Sequence, residues 1–260
     1  MKINKIIYRN LIITIIICLL YITPCLLLGI DYQIEFILLM LIINYISIKL
    51  YSKHHIEDSY KQLETLIPLI VDLNIKKRLP GTRDYAGSPD YLFEIKNIIK
   101  EKKPNLILEA GSGVSTLISA YTLKKYGGGR IISLDHDQKY AQQTQNELKA
   151  HGLEDYAEVI YAPLKNYGDL EWYDYSLIKE GELIDLFTID GPPEKRGKTV
   201  RYPAIPLMFN KLNKDAIIIL DDARRKNEQK TLQLWKAEYD CFEYTYIDND
   251  KGLSIIKKIK

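Results

Sequence analysis

The sequence has little cysteine, little histidine and almost no net charge. Its three cysteines, Cys18, Cys25 and Cys241, form no Cys-x-x-Cys pair, which excludes a disulfide framework and a clustered zinc site. The formal charge is +2, so bulk charge points to no nucleic-acid partner. There is no internal repeat, and no low-complexity stretch outside an isoleucine-rich N-terminus. Charge is also missing locally. Residues 10–30 hold no acidic or basic side chain over 21 positions, and about 20 apolar residues cross a bilayer core as a helix.

A second apolar run covers residues 36–48, between Glu35 and Lys49. Its 13 uncharged positions are short for a span unless the flanking side chains snorkel. Residues 1–52 are therefore expected to be a membrane anchor, a transmembrane helical hairpin. One span followed by an interfacial helix is a second reading, and a cleaved signal peptide a third. Lys2, Lys5 and Arg9 resemble a signal's basic start, but no small-x-small site follows near Gly29. Nor is there a lipoprotein cysteine, since Ile17 and Pro24 precede Cys18 and Cys25. Lys2, Lys5 and Arg9 precede the first run and Lys49, Lys53 and Lys61 follow the second, whereas the connector carries only Asp31 and Glu35. The positive-inside rule then puts both ends, and the rest of the chain, on the cytoplasmic side.

Residues 53–87 read as an amphipathic helix and linker. Ile56, Tyr60, Leu63, Ile67 and Ile70 recur on one helical face, with a kink expected at Pro68. That face can pack on the following domain. It can also lie on the bilayer, helped by Lys76, Lys77 and Arg78 near anionic lipid.

Residues 88–260 alternate. Strands are expected at 105–109, 130–135, 157–162, 183–190 and 216–221. Helices are expected at 91–101, 115–126, 138–151, 204–212 and 228–239. Strand-like runs at 243–248 and 253–259 flank Asn249-Asp250-Lys251-Gly252, a hairpin turn. The expected fold is α/β, a doubly wound, mostly parallel seven-stranded sheet with a C-terminal β-hairpin.

Ligands of such sheets bind beyond the carboxyl ends of the strands. The first strand ends in Glu109-Ala110-Gly111-Ser112-Gly113. Gly111 and Gly113 let the backbone turn tightly and a ligand approach it, and the next helix offers free N–H groups that Ser115 or Thr116 can cap. The second strand ends at Asp135, 24 residues beyond Gly111, where a carboxylate can accept from ribose hydroxyls. Glu109 can reach the ammonium of an amino-acid-like ligand. The third glycine of the dinucleotide fingerprint is missing, with Thr116 in its place, which counts against a nicotinamide enzyme.

This pattern resembles the class I S-adenosylmethionine (SAM)-dependent methyltransferases, from residue 88 to the C-terminus. The resemblance implies that Glu109, Gly111, Ser112 and Gly113 hold the methionine part of SAM and Asp135 its ribose. Many members carry an acid after the third strand for the adenine; here Tyr161-Ala162-Pro163-Leu164 has none. The fourth strand ends in Asp190 and the fifth in Asp221-Asp222. That arrangement is similar to metal-dependent O-methyltransferases of the catechol and caffeoyl-CoA type. By that likeness Asp190, Asp221 and Asp222 would bind Mg²⁺ or another divalent cation. Asp190 and Lys195 would be catalytic, with Lys195 helping to deprotonate the acceptor. Asp222 in place of the usual asparagine, and Gly191-Pro192-Pro193 after Asp190, depart from that pattern. Alternatively the acids pair with Lys195, Arg196, Arg201 or Arg224 and shape a substrate pocket. Residues 191–202 read as a loop closing over substrate, an anion-recognition loop or a solvated charged loop.

The expected function is a membrane-anchored, SAM-dependent methyltransferase whose acceptor is a small or lipid-linked molecule, with a hydroxyl as one candidate group. Two rivals stand beside it. Asp135-His136-Asp137 is an acid-x-acid motif of the kind a metal-dependent nucleotide-sugar transferase uses. The chain could also be a non-catalytic membrane scaffold.

Overall fold

The computed structural model describes residues 33–82, 86–176, 178–179 and 181–259, with the single residues 12 and 16. The first apolar run, residues 10–30, lies outside the described residues apart from Ile12 and Ile16. The chain divides into two compact units, Met1–Lys61 and Gln62–Lys260. The boundary falls inside one helix, α1 (Gln33–Asp72). Residues 36–48 and 56–71, read from sequence as separate pieces, are thus one continuous element, and it runs through Pro68. Its stretch Phe36–Asp72 contains an 18-residue window with a mean hydropathy of 1.5, long and apolar enough to cross a membrane. In the first unit Ile37, Leu38, Leu41, Ile42 and Ile48 are all exposed.

The second unit continues with α2 (Pro89–Lys102), β1 (Leu106–Ala110), α3 (Val114–Tyr126), β2 (Arg130–Asp135), α4 (Gln138–His151) and β3 (Ala157–Tyr161). A hairpin of β4 (Leu164–Tyr167) and β5 (Leu170–Tyr173) follows. Then come β6 (Ile184–Ile189), α5 (Ala204–Met208), β7 (Leu212–Leu220), α6 (Lys226–Glu238), β8 (Phe242–Ile247) and β9 (Leu253–Lys258). Seven strands form one sheet in the order β3-β2-β1-β6-β7-β9-β8. The first five are parallel, and β9 runs antiparallel to both neighbours. This is the expected sheet with its terminal hairpin. The β4–β5 hairpin is an addition, and the helix expected at 204–212 ends early because β7 already begins at Leu212.

The strands are apolar because both faces of the sheet are covered. On one face Ile107, Ile131, Leu186 and Ile219 pack with Leu92, Ile95, Leu117 and Leu148. On the other, Leu108, Ile132, Phe187 and Ile218 pack with Trp172, Ile205, Met208 and Trp235. The strand order turns back between β1 and β6, which makes their carboxyl ends the switch point where such sheets bind ligands.

Candidate active site

The site grows from three strand ends. Gly111 follows β1 with φ +100°, in the region that favours glycine. A Cβ there would lie 3.2 Å from the Gly191 backbone nitrogen, so the loops after β1 and β6 meet backbone to backbone. Gly191 donates its N–H to the Ala110 carbonyl at 2.7 Å. A Cβ on Gly191 would lie 2.1 Å from the Tyr173 hydroxyl. At Gly113 a Cβ would meet nothing.

Glu109 is fully buried on the same face of β1 as Ile107. The Thr116 hydroxyl donates to Glu109 Oε2 and accepts from the Gly113 N–H at 3.0 Å. The residue standing where a third glycine would be therefore ties the loop to the strand. Glu109 Oε1 has no partner. Burial pushes the Glu109 pKa up to about 7, against the lowering effect of Thr116, Ser115 and Ser133.

Asp135 is held just as firmly. Its Oδ2 accepts from the Ser112 N–H at 3.1 Å and the Ser112 hydroxyl at 2.6 Å. Its Oδ1 accepts from the Asp137 N–H at 2.9 Å. Asp137 in turn caps α4 by accepting from the Lys139 N–H at 2.9 Å. The acid-x-acid motif is thus spent on local structure, which disfavours the sugar-transferase reading. His136 is half-buried with its ring edge-on to Tyr173, centroids 6.0 Å apart. Burial lowers its pKa, and Asp135 opposes that shift.

Asp190, Asp221 and Asp222 come together as expected, each offering an oxygen within 4.8 Å of the others. Their partners differ. Arg201, 2% exposed, places Nη2 3.3 Å from Asp190 Oδ1 and 3.0 Å from Asp222 Oδ2. Arg225 Nη1 lies 2.7 Å from Asp222 Oδ2. Both carboxylate oxygens of Asp221 are buried without a hydrogen-bond partner. Burial raises the Asp190 pKa to about 6, with Arg201 opposing. Burial also raises that of Asp221, and Asp190 and Asp222 add to the rise. Asp222 sits at φ +58°, a left-handed conformation that aspartate tolerates better than most residues.

Sequence reasoning missed Tyr91 at the site and left Arg201 undistinguished among four possible partners of the acids. Arg201 was one of four cations in residues 191–202, and only it is buried; Lys195, Arg196 and Lys198 are exposed. Lys195 lies on the turn Glu194–Arg196, near enough to His136 to help depress its pKa. Asp190 is paired with Arg201 instead. Tyr91 on α2 and Tyr173 on β5 are fully buried, and both hydroxyls lack a partner. Burial lifts both pKa values, and Asp190 for Tyr91 and Asp135 for Tyr173 add to it. Unpartnered buried oxygens are uncommon. Here Tyr91 and Tyr173 join Glu109 and Asp221 in one electrostatically linked group at the switch point.

Residues 108–223 match the family model described as a methyltransferase domain. That segment, a little under half of the chain, is similar to a methyltransferase domain, in agreement with the resemblance read from the glycine loop. The matched segment takes in the glycine loop, Asp135 and all three clustered acids. Solved methyltransferases share the fold. The O-methyltransferase from Bacillus cereus in complex with SAH is 17% identical, with 77% of this chain and 96% of that one covered at a TM-score of 0.54. The O-methyltransferase TomG from Streptomyces achromogenes, in complex with SAM, is 13% identical over 76% and 89%, at 0.54. The SAH-bound methyltransferase PaMTH1 from Podospora anserina is 17% identical over 75% and 87%, at 0.53. At these identities the likeness is one of fold. No curated protein sequence matches the chain.

Proposed function

We propose that this protein moves the methyl group of SAM to a hydroxyl oxygen of an acceptor met at a membrane. The observation that carries the reading is the set of unpartnered buried oxygens around the glycine loop, above all Glu109 Oε1. A sulfonium ligand with an ammonium group supplies the positive charge and the donors that this set lacks. Gly111, Ser112 and Gly113 would take the methionine part, and Asp135, already oriented by Ser112, the ribose.

Methyl transfer is a direct displacement. The acceptor oxygen attacks the methyl carbon, the C–S bond breaks, S-adenosylhomocysteine leaves, and the hydroxyl proton goes to a base. The protein's part is alignment and proton removal. Asp190 and Lys195 are the sequence-based candidates for that base. Asp221 suits it better, because Asp190 is engaged by Arg201 while the Asp221 oxygens have no partner. The solved O-methyltransferases of the same fold support an oxygen acceptor. A Mg²⁺ ion held by Asp190, Asp221 and Asp222 would activate the hydroxyl as a Lewis acid when bound. The three oxygens are close enough, but the residues around them do not fit that ion, since Arg201 already bridges two of the acids. The anchor of residues 1–52 would deliver a lipid-linked or membrane-borne acceptor to the cytoplasmic face.

Calorimetry of the full-length protein in detergent with SAM tests the reading. One site per chain, weakened at least tenfold by Glu109→Gln, is expected. Absence of SAM binding by the wild type would sink it.

A further inference from the structure

Two of the three clustered acids already share a cation. Arg201 Nη2 stands 3.0 Å from Asp222 Oδ2 and 3.3 Å from Asp190 Oδ1. The same nitrogen donates to the Asp190 carbonyl, and Nη1 donates to the Asp221 carbonyl at 2.9 Å. Nε lies 3.6 Å from Glu228 Oε1 on α6. The side chain is 2% exposed, so one guanidinium joins the ends of β6 and β7 to α6 inside the protein. A metal bridging Asp190 and Asp222 would need oxygens at about 2.0–2.6 Å. The space between those two acids is filled by Nη2. A divalent cation would also sit against a guanidinium, which is planar, forked and always charged.

We infer that Arg201 takes the place of a divalent cation among Asp190, Asp221 and Asp222, so that the centre works with a built-in positive charge. Arg201 is a positioning residue. It fixes Asp190 and Asp222 as its own partners and holds the Asp221 backbone. The Asp221 carboxylate is thereby left as the member of the trio with no hydrogen-bond partner. Arg225 at 2.7 Å from Asp222 reinforces the arrangement. The inference rests on the methyltransferase reading only for the role of Asp221; the replacement of a metal stands on the ion pairs themselves.

The test uses the full-length protein in detergent, stripped with a chelator. Mn²⁺ binding is followed by electron paramagnetic resonance, melting temperature is measured, and SAM binding is measured on the same samples. The wild type should take up no stoichiometric Mn²⁺ and show no melting shift with Mn²⁺ or Mg²⁺. Arg201→Met should melt lower and gain one Mn²⁺ per chain that raises its melting temperature again, a rescue that a merely structural arginine would not permit. Asp222→Asn, in metal-free protein, should melt lower than the wild type because Arg201 loses a buried partner. In an acid cluster that awaits a metal, the same change would relieve repulsion and raise the melting temperature. One Mn²⁺ per wild-type chain, or an Asp222→Asn protein that melts higher, overturns the inference. If Arg201→Met does not fold, the wild-type titration and Asp222→Asn decide alone. SAM binding is read separately, so a failed methyltransferase reading is not mistaken for a failed metal replacement.

Discussion

Ser112 donates twice to one oxygen of Asp135, through its hydroxyl at 2.6 Å and its backbone N–H at 3.1 Å. A carboxylate offers about four lone-pair positions. These two bonds and the one from the Asp137 N–H leave about one for a ribose hydroxyl. Asp135 is therefore a pre-aimed acceptor. The Ser112 hydroxyl also lies 3.1 Å from Thr144 Oγ1, which gives it a second partner if a ribose hydroxyl displaces it. Ser112→Ala removes a charge-assisted hydrogen bond of about 1.5–3 kcal/mol. It should raise the Kd for SAM about tenfold or more. Calorimetry on the two proteins checks this; an unchanged Kd would mean that Asp135 does not meet the ribose.

On the proposed reading, Glu109 links SAM binding to pH. Its pKa is about 7 in the folded protein against an ordinary 4.5. A raised folded-state pKa means that this group's contribution to stability is full below 4.5 and is lost as pH rises through about 7. An ammonium at Oε1 would favour the carboxylate, so SAM binding should release a proton between those limits. Affinity should climb from pH 5 to 7 and then level off. Calorimetry at pH 6 in buffers of different ionisation enthalpy measures the released proton directly. Glu109→Gln should abolish the release, and release that survives in that variant assigns it to another group.

The glycine loop and the sheet are legible in the sequence because each depends on local signals. β1 and β2 are short apolar runs with an acid at or next to their carboxyl end, and the alternation of strand and helix forces a parallel sheet. The β4–β5 hairpin had a weaker signal, the two-residue connector Gly168-Asp169 with Gly168 at φ +64°. Its alternation is poor because Lys165, Asn166 and Glu171 are all exposed. Arg201 had none. Four cations fall within residues 191–202, and which one turns inward depends on where β6, β7 and α6 leave a set of carboxylates to neutralise. Tyr91 was legible as a helix residue, but its unpartnered hydroxyl at the switch point is a tertiary fact.

Gly191 is required by what sits on it. An added Cβ would meet the Tyr173 hydroxyl at 2.1 Å and the Ala110 carbonyl oxygen at 3.3 Å. Tyr173 is fully buried and cannot swing away. Gly191→Ala should cost about 1–3 kcal/mol, the usual range for overpacking. Adding Tyr173→Phe removes the clashing oxygen and should restore part of that loss. Denaturant unfolding of the single and double variants provides the cycle. Strict additivity would show that the two residues do not touch.

The proposed anchor makes the last prediction. In the first unit Ile37, Leu38, Leu41, Ile42 and Ile48 all expose large apolar side chains along α1, a patch that water does not tolerate well. Hydrocarbon does, provided the helical backbone bonds stay internal. The basic residues Lys49, Lys53 and Lys61 follow that stretch and favour the cytoplasmic side. The full chain should stay in the membrane pellet after an alkaline carbonate wash. Protease added to inside-out vesicles should reach Gln62–Lys260, and protease added to right-side-out vesicles should not. Release into the carbonate supernatant would argue for surface association only, and digestion in right-side-out vesicles would reverse the orientation.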